Sequence, residues 1–253
     1  AMDLGASTIG GTANFNSTSN VITDSGTLAI TGATTINAGT ADITLDQAAS
    51  TFGALALTGA NVAVTENAAT DLAASTVSGT LGVTSTGAVT DSGTLAITGA
   101  TTISASGQDI TLDEAASTFG TLALTGANVA VTENAATDLG ASTVSGTFGI
   151  TSGGAITDSG TQTITGAATF TNTAGTNDAI TLDDVSNAFS GTVTFSTDSG
   201  SAVTVVDTTA LDLLALSAAS LSVTSGGAVT DSGTLAITGA TTTSASGQPT
   251  RSD

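Results

Sequence analysis

The sequence is defined first by what is missing. Its 253 residues contain no Cys, His, Trp, Tyr or Lys, and only one Arg and one Pro, Arg251 and Pro249. Nucleophilic and acid/base catalysis mostly needs His, Cys, Lys or Tyr beside Ser or a carboxylate, so a triad is excluded. A zinc site built on His or Cys is excluded too. Nucleic-acid binding needs clustered Lys or Arg on phosphate, and there is no such cluster. Anionic membrane surfaces are disfavoured for the same reason. No run reaches the ~20 apolar residues of a membrane helix. The most apolar stretch, Leu211 to Val223, is broken by Asp212, Ser217, Ser220 and Ser222. No signal peptide is visible. The lack of Cys fits an extracellular bacterial chain that does without disulfides, and equally a cytosolic one.

What remains is Gly, Ala, Ser, Thr and aliphatic residues. Hydrophobic residues make up 40% of the chain, which is enough for a core and unlike a disordered composition. The net charge is −20 although only 9% of residues are charged. Acids spread this thinly keep a β surface soluble and self-repelling.

The order of these residues repeats with a period of 67. Asp24 through Ile36 returns unchanged as Asp91 through Ile103, again in altered form from Asp158, and a fourth time from Asp231. Residues 24–90 align on 91–157 without a gap and with 11 differences. A fixed period of this length implies a stacked, quasi-one-dimensional architecture. Asp158 and Asp231 lie 73 positions apart; the extra residues enter around 171–177 and 197–201, both expected corners.

Within a period the apolar residues alternate: Leu95 and Ile97 flank Ala96, Ile110 and Leu112 flank Thr111, Leu122 and Leu124 flank Ala123. Period 2 in runs of about five residues, with no 3.6-residue stripe, predicts short strands. Corners such as Thr98-Gly99-Ala100 and Ser106-Gly107-Gln108-Asp109 separate them, and there Gly is expected to supply positive φ. No Asn-Gly or Asp-Gly pair favours tight hairpins. Eight or nine edges per period, taken in threes, predict three coils of about 22 residues.

The expected fold is therefore all-β: a right-handed parallel β-helix, a β-solenoid with about three coils per period. Parallel crossovers are nearly always right-handed. Its inward positions should be Leu28, Ile30, Ile43, Leu45, Phe52, Leu55, Leu57, Val62, Val64, Leu72, Val77, Leu81 and Val83 with their copies. Copies swap apolar for apolar there, as Leu81 for Phe148. The other topology is a tandem of small β-sandwiches, each without the usual core Trp or Tyr. One continuous solenoid is expected over 1–248. Its repeats lie near 24–90, 91–157 and 158–230, with partial copies at 1–23 and 231–248, and 249–253 forms a tail. Ala1 to Thr8 matches Ala136 to Thr143, so the chain opens in mid-repeat. Both ends read as cuts in a longer protein, with Ala1-Met2 and Arg251-Ser252 as cloning scars.

Four stretches carry a resemblance: Asp42 to Phe52, Asn61 to Ala68, Ala74 to Gly79 and Gly153 to Gly160. In texture and repeat style they resemble the repeats of large secreted bacterial adhesins similar to filamentous haemagglutinin, whether two-partner-secreted or autotransported. The resemblance covers essentially the whole chain. It implies a right-handed β-helix, export to the outer cell surface, and a role as the shaft of an adhesin or extracellular fibre. A secretion domain and a recognisable receptor-binding module are lacking.

No catalytic, cofactor-binding or metal-ligating residue is assigned. Acids nonetheless recur in register: Asp24, Asp91, Asp158 and Asp231; Asp46, Asp113 and Asp183; Glu66, Glu133 and Asp207; Asp71, Asp138 and Asp212. Solvated corner acids and turn caps are the plain reading. Calcium held between acidic corners is the functional one. The Asp-rich calcium nonapeptide is absent. Copies three coils apart, about 14 Å at the strand spacing, could not share an ion. Thr-rich strands raise ice binding, but Thr-x-Thr is not kept at one edge. The expectation is a non-catalytic structural or adhesive shaft segment, extracellular or on the bacterial outer surface. Partners would be a host-surface or matrix ligand reached through the parent protein, or further copies joined end to end. Nucleic acid and membrane insertion are not expected.

Overall fold

A computed structural model describes residues 1–173, 178–197 and 200–246. The expected insertions around 171–177 and 197–201 fall partly outside these residues. The tail 249–253, with Pro249 and Arg251, lies wholly outside them. The chain divides into two units, Ala1–Ala127 and Asn128–Asp253. Each is an all-β parallel solenoid with about 20 residues per turn, about 12 turns in the two together.

In the first unit one face stacks Met2–Leu4, Ile22–Asp24, Ile43–Leu45, Val62–Glu66, Leu81–Ser85, Thr101–Ser104 and Thr121–Gly126. The register runs Met2, Ile22, Ile43, Val62, Leu81, Thr101, Leu122, every step parallel. A second face carries Ser7–Ile9, Leu28–Ile30, a single bridging residue Thr51, then Thr70–Leu72, Val89–Asp91 and Ile110–Leu112. The third carries Ala13–Asn16, Thr34–Asn37, Leu55–Gly59, Ser75–Val77, Leu95–Ile97 and the bridging residue Thr118. Leu55–Gly59 supports two edges of the next turn, pairing Leu55 with Leu72 and Thr58 with Thr76.

Each period holds ten edges, starting at Ile22, Leu28, Thr34, Ile43, Thr51, Leu55, Val62, Thr70, Ser75 and Leu81. Ten edges on three faces make three turns and one extra edge. A copy therefore moves on by one face: Ile22 lies on the first face and its copy Val89 on the second. Leu28 lies on the second and Leu95 on the third; Thr34 lies on the third and Thr101 on the first. The expected coil of about 22 residues is thus shortened to about 20, and equivalent residues of neighbouring copies do not stack.

In the second unit one face stacks Val129–Glu133, Phe148–Ser152, Ala168–Asn172, Thr192–Ser196, Leu211–Ala218 and Val229–Ile237. Another stacks Thr137–Leu139, Ile156–Asp158, Ile180–Leu182, Ala202–Asp207, Ser220–Ser225 and Thr241–Ala245. A third, Ser142–Val144, Gln162–Ile164 and Ala188–Phe189, ends there. Beyond it the turns carry two long strands in place of three short ones, with register shifts at Val193/Thr194 and Leu213/Ala215.

All thirteen expected core positions from Leu28 to Val83 are buried. Alternate side chains enter a narrow tube, as a period of 2 requires. In the second unit the tube is filled by Phe148, Phe170, Phe189 and Phe195. The Phe170 ring meets Phe148 and Phe189 edge-on at 5.8 and 6.0 Å and stacks on Phe195 at 5.6 Å. Such pairs contribute beyond the area they bury.

The corner glycines divide between the expected purpose, which Gly107 fulfils, and a second one. Among the described glycines only Gly39 and Gly107 have positive φ, 61° and 76°. Gly32, Gly53, Gly99 and Gly120 are instead sites of close approach, where an added Cβ would fall 2.4–2.5 Å from the backbone of the turn below.

Candidate functional site

Every turn of a solenoid must satisfy the backbone of the turns on either side. The second face of the first unit interrupts this. Between Asp46 and Ser50 the chain makes a tight turn, closed by Ser50 N–H donating to the Gln47 carbonyl at 2.8 Å. Three side chains fill the resulting gaps. From the turn below, Asp24 Oδ1 accepts the Asp46 N–H at 2.8 Å. Ser50 Oγ accepts the buried Leu28 N–H at 3.0 Å. From the turn above, Glu66 Oε1 accepts the Phe52 N–H at 2.7 Å.

The arrangement is copied. Asp91 Oδ1 and Oδ2 accept the N–H groups of Asp113 and Glu114 at 2.8 and 3.4 Å, and Ser117 Oγ accepts that of Leu95 at 2.9 Å. In the second unit Asp158 takes the N–H groups of Asp183 and Asp184 at 2.8 and 3.3 Å, and Asn187 stands where Ser50 and Ser117 stood. Asn187 donates to Asp158 at 2.6 Å and accepts from Gln162 N–H at 2.7 Å. Asp207 accepts the Phe189 N–H at 3.2 Å. Glu133 accepts the Thr137 hydroxyl at 2.6 Å.

Of the recurring acids, Asp24, Asp91, Asp158, Glu66, Glu133 and Asp207 are therefore caps, as the sequence implies. They are not all solvated corner groups. Asp24, Asp91, Glu66, Glu133 and Asp207 are buried, Glu66 completely, because the N–H and hydroxyl groups they hold lie inside the wall. Asp46, Asp113, Asp183 and Asp231 are exposed. Asp71 and Asp138 cap hydroxyls one turn up, accepting from Ser92 and Ser159 at 3.0 and 2.9 Å. Another corner is tied by Asp42, which accepts the Asn61 N–H at 2.9 Å, while Asn61 Oδ1 accepts the Thr80 N–H at 3.1 Å.

Burial raises the pKa of Asp24, Glu66, Asp91, Asp158 and Asp207 above their ordinary values. The hydrogen bonds they accept oppose the rise without cancelling it. Neighbouring acids push further in the same direction: Asp46 on Asp24, Asp113 and Glu114 on Asp91, and Asp183 on Asp158.

These carboxylates face backbone rather than a cavity. Among the described residues no three of them gather closely enough to hold a metal ion. Copies such as Asp24 and Asp91 lie on different faces, so a vertical acid ladder does not form. A shallow groove of about 440 Å³ in the second unit, lined by Val206, Asp207, Thr224, Ser225 and Ser244, holds a single carboxylate, which is already bound to Phe189 and Thr209. Ser50→Ala tests the capping role. It strands the Leu28 N–H inside the wall, and a buried unmade bond costs about 1–3 kcal/mol. Urea denaturation should show a loss of that size.

The fold and its internal capping define a β-solenoid repeat protein. More particularly, the chain belongs to the family described as repeats of unknown function (DUF5649), whose model matches it at residues 1–58, 59–125, 126–196 and 200–249. No curated protein and no solved structure matches it.

Proposed function

We propose that this chain is a non-catalytic shaft segment of a bacterial extracellular adhesin or matrix fibre, which holds other parts of a longer protein away from the outer cell surface. One observation carries the reading. The recurring polar side chains are spent on the backbone of the adjacent turn, through bonds such as Asp46 N–H to Asp24 and Phe52 N–H to Glu66, and do not converge on a pocket. A chain whose acids serve its own wall is built for length. The likeness of its repeats to those of filamentous haemagglutinin-type adhesins supports the same role. The acidic surface, with Arg251 as its only basic side chain, directs it away from nucleic acid and anionic lipid. Host or matrix ligands are reached through the parent protein, and weak contacts on the shaft recur with each copy.

Length is the property to measure. At about 20 residues per turn and ~4.8 Å between paired strands, each added copy should lengthen the particle by about 16 Å. Small-angle scattering from chains with two, three and four copies reads this directly. A particle that grows in width or radius instead of length overturns the shaft reading.

A further inference from the structure

The capping clusters have an electrostatic property that their structural role does not require. Every charged group near them is negative. Asp24 faces Asp46, Asp91 faces Asp113 and Glu114, and Asp158 faces Asp183 and Asp184. Glu66 is faced by the Phe52 backbone N–H and the Thr70 side chain, and Asp207 by Phe189 and Thr209. The chain has no Lys or His, and its one Arg, Arg251, lies outside the described residues. Asp24 Oδ2 and Glu66 Oε2 are buried with no hydrogen-bond partner. In most proteins buried carboxylates are balanced by a cation, and their ionised form holds the fold together. Among the described residues no basic side chain balances them.

We propose that these carboxylate clusters form an acid-set lock between turns: uptake of protons tightens the solenoid, and their release at rising pH loosens the wall at each cluster. The ionised carboxylate is the costly form inside the wall, because burial removes its water and neighbouring acids repel it. Protonation removes that cost, while the carbonyl oxygen still accepts the backbone N–H.

The direction follows from proton linkage. With their pKa raised by burial, these groups keep protons in the folded chain that the unfolded chain has released. Stability therefore falls with rising pH across that interval. The contribution is complete below the ordinary values, 3.8 for Asp and 4.5 for Glu, and is lost as pH climbs through the raised ones.

The test is thermal melting of the whole chain between pH 7.5 and 4.0, with two paired variants. Glu66→Gln with Asp207→Asn removes one buried charge from each unit. Asp3→Asn with Asp231→Asn removes the same number of exposed charges. The native chain should melt higher at pH 4.0 than at pH 7.5, by about 5 °C or more. The buried pair should flatten the slope, and the exposed pair should leave it nearly unchanged. A native melting temperature that falls on acidification overturns the lock, and so does an equal flattening by both pairs, which assigns the effect to overall charge. If the buried pair fails to fold, carbon-13 NMR of the native chain decides. A Glu66 carboxyl titrating at or below 4.5 excludes the lock, and one titrating above it supports the lock.

Discussion

Removing residues 24–90 should leave a shorter solenoid that still folds, whereas removing residues 31–90 should unfold the turns around the joint. The first deletion takes out one period of 67 residues, which is not a whole number of turns. The second takes out 60 residues, three whole turns at about 20 residues each. Geometry alone favours the second, because it returns every edge to its own face. Pairing favours the first. With 24–90 gone, Asp91 follows Thr23 and lies opposite Leu4, and Leu72 already pairs with Asp91 in the native chain. Ile22 meets Ile110, as Val89 does now. Every pair across the joint has a native precedent, and the downstream turns simply advance by one face.

With 31–90 gone, Thr94 and Ala96 fall where Thr34 and Ile36 pointed inward. Leu95 and Ile97, both buried in the native fold, then face water. A register shift that inverts a strand exposes its whole apolar set. Each of the two side chains contributes about 1.5–3 kcal/mol of burial, so the loss from this edge alone is about 3–6 kcal/mol. Circular dichroism and melting of the two deletions should separate them clearly. Equal stability would mean that contacts between turns are indifferent to sequence, and the account of the core would fail with it.

The same shift explains what the sequence revealed and what it hid. Alternation identified the inward residues correctly because burial is a property of each strand by itself. Leu28, Ile30, Val62 and Val64 point inward whichever face they occupy. Which residues stack depends on the number of edges, and two edges carry weak signals. Thr118 touches its neighbour through a single bridge, and Ser142–Val144 offers one apolar residue. Missing either one turns three and a third turns into three. The buried acids were hidden for another reason: a carboxylate that caps an internal N–H and one that caps a surface turn look alike in sequence. A usable sign was present in the spacing. Asp24 to Asp46 and Leu28 to Ser50 are each 22 residues, about one turn, and both spacings recur from Asp91 to Asp113 and from Leu95 to Ser117.

Substituting Gly99 should be among the most damaging single changes, and substituting Gly82 among the most benign. Both are glycines of the first unit, and composition does not tell them apart. Gly82 lies in the strand Leu81–Ser85, where an added Cβ would come no closer than 3.8 Å, to the Val62 carbonyl oxygen. Alanine there meets ordinary contact and reduces the freedom of the unfolded chain, which is neutral or stabilising by about 0.4–1 kcal/mol. Gly99 lies at the corner between Leu95–Ile97 and Thr101–Ser104, and its N–H donates to the Gly79 carbonyl at 2.9 Å. A Cβ at Gly99 would sit 2.5 Å from that oxygen and 2.7 Å from its carbon. The obstacle is backbone, which has no rotamer to change. The corner can relax only by parting from the turn below, and that breaks the bond and lifts the flanking edges. Gly120 repeats the contact one turn up, 2.5 Å from the Gly99 oxygen, so displacement at one level disturbs the next. Overpacking in a dense interior costs about 1–3 kcal/mol when side chains can yield. Here Gly99→Ala should exceed the top of that range, and Gly99→Val should exceed it further. Urea midpoints for the two alanine variants, measured side by side, should show a clear drop for Gly99→Ala and an unchanged or raised value for Gly82→Ala. Matching midpoints would show that the turns are not held as closely at this corner as the stacked glycines require.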